Sequence, residues 1–360
     1  MRVLLVADAK SQHSRRWATA LVGRGASVHV ATLRPADPIP GAEMHVLPTF
    51  GLGKAGYLLA IPALRRLVRR LAPDAVHAHY VTSYGFLAAA AHAPRLIVTA
   101  WGSDVLGPAS RRRAARYFTR LALRRADVVT TVAEHMNAHA LEIAGRPIEI
   151  EAVPFGVDLT QFEFAPRAPE RGASDGAVRV ICTRNFHPLY DVTTVVQAFA
   201  DFAATTSPSP TLTLIGNGPQ RNALQALAQA RGVSERVRFL GHIPAAALAR
   251  ELAAADVFVT PAHSDGNNVS LNEAMAVGPF PIGTAIPANE QWINDGENGL
   301  LYPPGDVAAL ATALTRATEM RPRWTDVARG NRAIVQERAN WTRSVDHALG
   351  LYRRLLEQAQ

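Results

Sequence analysis

Two carboxylates, Asp265 and Glu273, lie eight positions apart in the stretch SDGNNVSLNEAMAVG at 264–278. Asp265 stands among Ser, Gly and Asn, the residues of a tight loop, whereas Glu273 sits in an apolar run that stops at Gly278. Asn268 is a natural N-cap and Gly278 a natural stop, so the pattern predicts a helix opening at Val269. The first turn of a helix leaves backbone N–H groups without partners and gathers partial positive charge, which makes it a ready anion site. Glu273, about one turn in, would reach past a bound anion to a group attached to it. Asp265 would meet what is attached on the other side. A ligand with a central phosphate, a hydroxylated group at one end and another at the far end satisfies all three features, and a nucleotide sugar is such a ligand.

The elements that must position this stretch read as short β-branched runs alternating with helical ones. One series of strands is expected at 2–8, 27–33, 75–80, 95–101, 127–132 and 148–154, and a second at 178–185, 211–218, 236–242, 256–262, 280–284 and 299–302. Such alternation means parallel sheets covered by helices on both faces, and 360 residues exceed one ordinary core. The expected fold class is α/β, with two doubly wound, Rossmann-like domains whose strand ends face a shared cleft. The Pro-, Gly- and Arg-rich segment 162–177 has a linker composition. It sets expected domains of 1–165 and 166–340, followed by a final helix over 341–360.

Bulk properties narrow the class. A 48% hydrophobic and 19% charged chain is globular rather than disordered. The opening MRVLLVADAK is short for a secretory signal and reads as a buried strand. No apolar run reaches the roughly 18 residues of a spanning helix. The single cysteine, Cys182, excludes an intramolecular disulfide and a cysteine metal cluster. A cytoplasmic location is expected.

Residues 1–160 hold 20 Lys and Arg against 11 Asp and Glu, while 161–360 hold 18 against 19, so the net charge of +8 belongs to the first half. Lys10 and Lys54 are the only lysines. In 64–72, Arg65, Arg66, Arg69 and Arg70 lie opposite an apolar face, and in 111–125 Arg112, Arg116, Arg120 and Arg124 recur every fourth residue. Such faces are either plainly solvated or dock on an anionic surface, a membrane's inner face or a lipid-phosphate acceptor. No nucleic-acid-binding module is recognisable, and nucleic acid is not expected as a partner. In the loop DAKSQHSRRW at 8–17, His13 and Ser14 open a helix after the first strand, where a doubly wound domain meets its ligand. Asp104 in WGSD is read either as an acceptor-side base or as a helix cap. His77 and His79 point the same way from one strand with no third ligand in view, so no metal site is expected.

Taken together, the motifs resemble a known family. Asp-X7-Glu followed by AMAVG looks like the acid-X7-Glu motif of glycosyltransferase family 4, the retaining group 1 glycosyltransferases of GT-B fold. VPFGVD (153–158), RNFHPLYD (184–191), LIGNGPQR (214–221), FLGHIP (239–244) and NDGENGLLYPPGD (294–306) resemble further family segments and arrive in the family's order. The resemblance implies a hexosyltransferase-type enzyme of glycoconjugate or polysaccharide biosynthesis. Its donor would be a nucleoside-diphosphate sugar, UDP before GDP, and its acceptor a glycan, lipid-linked or small molecule. It implies that Glu273 binds the ribose, Asp265 faces the donor sugar, and Arg184 neutralises the leaving phosphate beside Tyr190. Gly216, Asn217 and Gly218, with the loop amides from Asn267 and Asn268 to Val269 and Ser270, would line the donor. The final helix would pack back on the first domain.

Three departures stand out. No lysine follows Arg184, the first acid is Asp rather than Glu, and Trp101 stands where many relatives carry a histidine. The resemblance further implies front-face transfer with retention, so the two acids are not the double-displacement pair that sits roughly 5–5.5 Å apart in retaining glycosidases. No Asp-X-Asp motif occurs, and neither metal nor other cofactor is expected. A non-catalytic sugar-nucleotide-binding partner, and an epimerase or phosphorylase of the same fold, are the rival readings.

Overall fold

The computed structural model describes residues 1–51, 56–107, 112–165 and 176–358. Lys54, Arg111 and most of the expected linker, 166–175, lie outside the described residues. Contacts divide the chain into one unit running from Met1 to Pro154 and resuming at Thr342, and a second from Phe155 to Trp341. The division precedes the Pro- and Gly-rich segment because 155–162 packs with the second unit. Val157 bridges Asn340, Val157 and Phe162 join a core with Ile181 and Phe258, and Arg332 donates to the Phe162 carbonyl at 2.6 Å.

The first unit holds β1 (Arg2–Val6), β2 (Ser27–Thr32), β3 (Ala42–Val46), β4 (Ala75–His79), β5 (Leu96–Ala100), β6 (Val128–Thr131) and β7 (Ile150–Ala152). They form one parallel sheet in the order β3-β2-β1-β4-β5-β6-β7. The second unit holds β8 (Arg179–Cys182), β9 (Thr211–Ile215), β10 (Val237–Gly241), β11 (Val257–Thr260), β12 (Phe280–Thr284) and β13 (Leu300–Tyr302). Their order is β10-β9-β8-β11-β12-β13, again all parallel. The central strands are buried along their length, as the continuous apolar runs require of strands covered on both faces. In each sheet the order reverses once, between β1 and β4 and between β8 and β11. Loops leaving those strand ends diverge and open a crevice.

The α/β doubly wound expectation holds for both units. The strand missing from the sequence reading is β3. Its five residues alternate apolar with Glu43 and His45, none is fully buried, and it sits at a sheet edge with β2 as its neighbour. Among the described residues, no helix is long and apolar enough to cross a membrane.

The last helix, Trp341–Glu357, returns to the first unit, as expected. Val345, Tyr352 and Leu355 are buried there, each worth roughly 1.5–3 kcal/mol of apolar burial at most. Salt bridges from Arg24 to Asp346 and from Arg354 to Glu149 and Glu151 line its exposed flanks, where such pairs contribute little. Inside, the Tyr352 hydroxyl meets His77 Nδ1 at 2.6 Å and receives the Trp17 indole N–H at 3.3 Å. His77 Nε2 continues to Thr99 Oγ1 at 2.5 Å, and Thr99 to Thr130 at 2.6 Å.

His77 therefore completes a buried polar chain in which both ring nitrogens have partners. Burial holds its pKa down at about 3, and burial together with the His77 and His13 rings lowers that of His79. Below pH 6.5 the unfolded chain takes up protons that the folded chain refuses, so stability falls as pH drops from about 6.5 toward 3. The expected slope is about 1.4 kcal/mol per pH unit for each such histidine. Urea unfolding between pH 5 and 7 should show it, and His77→Asn should flatten it even where it lowers stability overall.

Candidate functional site

In the second unit the loop after β8 delivers Arg184 and the loop after β11 delivers Asp265. Arg184 is only 8% exposed. Its Nε donates to the Thr260 hydroxyl at 3.1 Å and its Nη2 to Asp265 Oδ2 at 2.5 Å, while its guanidinium carbon lies 5.1 Å from the Tyr190 ring centre. A fork with several N–H groups can hold two partners and still present donors to a third, which a lysine cannot do with fixed geometry. The structure thus brings Arg184, Tyr190 and Asp265 together. The second Asp265 oxygen accepts the Gly266 N–H at 2.8 Å, so the loop's own backbone aims the carboxylate.

Arg184 is located by glycines. Gly216 and Gly218 adopt φ of 145° and 158°, and a side chain at either would strike the carbonyl of Arg184 or Phe186. Their loop presses flat on the Arg184–Phe186 backbone, where Phe186 N–H bonds the Asn217 carbonyl at 3.0 Å and Gln220 N–H the Phe186 carbonyl at 3.2 Å. These glycines support the arginine from beneath. Asn217 is exposed, with its side chain turned onto the Gly218 N–H at 3.0 Å.

The helix Val269–Val277 begins and ends where its caps predict, with Gly278 at φ 138°. The Asn268 side chain accepts the Leu271 N–H at 3.1 Å and donates to Thr260 Oγ1 at 2.9 Å and to Asn289 Oδ1 at 2.7 Å. It is fully buried, so its side chain is the structural cap that the sequence predicts. The amides are fewer than expected, because Val269 N–H bonds the Asn267 carbonyl at 3.0 Å. Ser270 turns its hydroxyl onto the Thr183 carbonyl at 3.3 Å. Asn267 is different: it is 8% exposed, and its Nδ2 has no partner among the described residues. Glu273 follows one turn into the helix, half-buried.

Sequence reasoning missed Thr260, Asn289 and Thr284. Asn289 donates to the Thr284 carbonyl and hydroxyl at 2.9 and 3.1 Å, and Thr284 donates to the Ala262 carbonyl at 2.6 Å. Each is a common polar residue at a strand end or on a short helix, without a motif to mark it.

In the first unit a cavity of about 770 Å³ opens at the ends of β1 and β4. Tyr57, Tyr80, Tyr84, Phe86, Trp101 and Phe118 give it aromatic walls, and Asp8, Arg34, Ser14 and His79 supply polar groups. Ser14 Oγ lies 3.3 Å from His79 Nδ1. His13 is exposed and sets its ring edge-on to Trp101, 5.1 Å between centres. The Tyr57 hydroxyl and Asp8 hold Arg34 firmly protonated.

Asp104 is not available as a base. It is 1% exposed and accepts the N–H groups of Val81, Trp101 and Gly102 at 2.9 to 3.0 Å, fixing the turns after β4 and β5. Burial raises its pKa against those bonds. The arginine rows are likewise partly internal. Arg120 and Arg124 cap the Ile143 and Ala144 carbonyls at 2.8 and 2.5 Å, and Arg116 pairs with Glu142 at 3.0 Å. Arg65 reaches the Ala90 carbonyl at 3.1 Å. Arg66, Arg69, Arg70 and Arg112 remain exposed.

Two family models match the chain, "Glycosyl transferases group 1" over residues 168–333 and "Glycosyl transferase 4-like" over 2–133. The chain is 31% identical to the GDP-mannose-dependent alpha-(1-6)-phosphatidylinositol monomannoside mannosyltransferase of Mycolicibacterium smegmatis, over 58% of this chain and 63% of that protein. It is 28% identical to the N-acetyl-alpha-D-glucosaminyl L-malate synthase of Bacillus anthracis, over 66% of this chain and 63% of that one. The match thus spans somewhat less than two thirds of either relative's length. In three dimensions the chain resembles sucrose-phosphate synthase from Thermosynechococcus elongatus, with a TM-score of 0.83, 22% identity, and 99% and 100% of the two chains covered.

The glycine support has a direct test. Gly216→Ala combines a strained positive φ with an overpacked contact, and should cost about 1–3 kcal/mol. Denaturant unfolding should show that loss, and nucleotide affinity should fall with it because Arg184 is displaced.

Proposed function

Because the chain belongs to the group 1 glycosyltransferases, we propose that it transfers a sugar from a nucleoside-diphosphate donor to an acceptor hydroxyl with retention of anomeric configuration. The observation that carries this reading is the buried Arg184, held by Thr260 and Asp265 beside Tyr190 at the β8–β11 reversal. As the bond from the sugar's anomeric carbon to the phosphate oxygen breaks, negative charge grows on the diphosphate. A preorganised guanidinium with donors to spare stabilises that charge without reorganising. The acceptor oxygen bonds to the same face of the anomeric carbon, and the departing phosphate oxygen takes its proton. Asn267 Nδ2 and the positive end of the Val269–Val277 helix face the donor's polar groups, and Glu273 takes the ribose hydroxyls. Catalysis is then positioning and electrostatics, read as metal-independent because the sequence has no Asp-X-Asp motif.

For the donor base, UDP is the first expectation, and the mycobacterial relative's name brings GDP-mannose as the alternative. The acceptor is assigned to the cavity in the first unit. Its aromatic walls favour an acceptor with an apolar or ring portion, stacked on Trp101 or Tyr84, over a chain of free sugars. A lipid-linked acceptor is included, with Arg66, Arg69 and Arg70 as the face that would meet an anionic membrane.

The test pairs ligand binding with turnover. At about 100 times its dissociation constant a nucleotide stabilises by roughly 2.7 kcal/mol, which raises Tm by several degrees. UDP or GDP should do so for wild type and not for Glu273→Ala. Arg184→Ala should lower donor turnover by about 100-fold or more, with Arg184→Lys recovering only part. No shift with any nucleoside diphosphate, or full turnover in Arg184→Ala, contradicts the reading.

A further inference from the structure

At the open edge of the first sheet, three side chains outside both candidate sites converge. In the parallel register β2 sets His29 opposite Glu43 and Ala31 opposite His45, so His29, Glu43 and His45 share one face. His29 Nδ1 lies 3.1 Å from His45 Nε2 and 3.3 Å from Glu43 Oε2, and His45 Nε2 lies 3.5 Å from Glu43 Oε1. A tetrahedral zinc-class ion bound at about 2.0–2.2 Å needs neighbouring ligand atoms roughly 3.3–3.6 Å apart. The 3.1 Å between the two imidazole nitrogens and the 3.3 Å from His29 to Glu43 Oε2 come close to that demand, and ligand atoms taken one from each residue all lie within 4.8 Å of one another, so a small carboxylate rotation completes the set. From these spacings we infer that His29, Glu43 and His45 form a divalent metal site for Zn²⁺, with a fourth position open to water.

The chemistry of the set agrees. Two imidazoles and a carboxylate are a zinc-class donor combination, too nitrogen-rich for calcium or magnesium. The two imidazole nitrogens face each other at hydrogen-bond distance, which requires one proton between them, and a cation replaces that proton while engaging both lone pairs. Both rings are largely covered while Glu43 is exposed, so an ion has an entry path on the carboxylate side. The Arg70 charge opposes the ion and the Glu43 charge offsets it. A bound ion would tie β3 to β2 across an otherwise half-covered edge.

The probe is Zn²⁺ titrated calorimetrically into the untagged full chain in metal-free buffer, with Co²⁺ absorption as the spectroscopic readout. Wild type should bind one equivalent, gain thermal stability, and give the intense visible bands of four-coordinate cobalt. Glu43→Gln, at an exposed position that leaves the fold intact, should weaken binding at least tenfold, and His45→Ala should remove it. No stoichiometric binding by wild type overturns the site, and so does binding that both substitutions leave unchanged. Neither readout involves sugar transfer, so this result stands apart from the proposed activity.

Discussion

The hydroxyl of Thr260 accepts two hydrogen bonds, one from Arg184 Nε and one from Asn268 Nδ2. Both donors are buried, and each would forfeit about 1–3 kcal/mol, more for the guanidinium, if the acceptor were removed. Through this one oxygen the strand end of β11 fixes the Arg184 guanidinium and the helix cap to each other. Asn268 passes the constraint on to Asn289, and Asn289 to Thr284 and the Ala262 carbonyl. The chain of bonds is almost fully satisfied, which is the condition under which buried polar groups specify one arrangement. Glycines at 216 and 218 close the same arrangement from below by letting two backbones touch.

The two units use one topology for different purposes. Both sheets reverse order once, and both place their polar residues at the reversal. In the second unit those residues are an ion pair, an aromatic face and a helix start, a combination suited to phosphate. The first unit instead offers aromatic walls with a few polar groups, suited to a less charged molecule. Much of the arginine excess of the first half is structural, with Arg65, Arg120 and Arg124 supplying donors to the carbonyls of helix ends. Net charge alone therefore overstated how much cationic surface this unit offers to an anion.

The architecture was legible because buried parallel strands are continuous β-branched runs, and β12 at 280–284 matches its expected bounds. β3 escaped because an edge strand needs only one covered face, and five residues carrying Glu43 and His45 give little signal. Motif spacing picked out Arg184, Asp265, Glu273 and the helix cap, and the structure pairs Arg184 with Asp265 and places the cap at Asn268. Spacing could not separate ligand contacts from supports. Asp104 is readable from the sequence either as a base or as a cap, yet it is buried with its oxygens taken by backbone N–H groups. Thr260 and the aromatic cavity were out of reach for a different reason. Thr260 meets Arg184 from 76 residues away, the cavity gathers side chains from Asp8 to Phe118, and no local pattern records such meetings.

If Arg184 serves sugar transfer as proposed, the Thr260 hydroxyl is the group that orients it. The most direct measurement compares donor turnover in Thr260→Val, which keeps the shape and removes the acceptor oxygen, and Thr260→Ser, which keeps the oxygen and drops a methyl group. The valine variant should lose at least about tenfold in kcat, equal to about 1.4 kcal/mol or more of transition-state stabilisation, and serine should restore most of it. Equal turnover in the valine variant and wild type would contradict it, because Arg184 would then be held without the bond on which this structure turns.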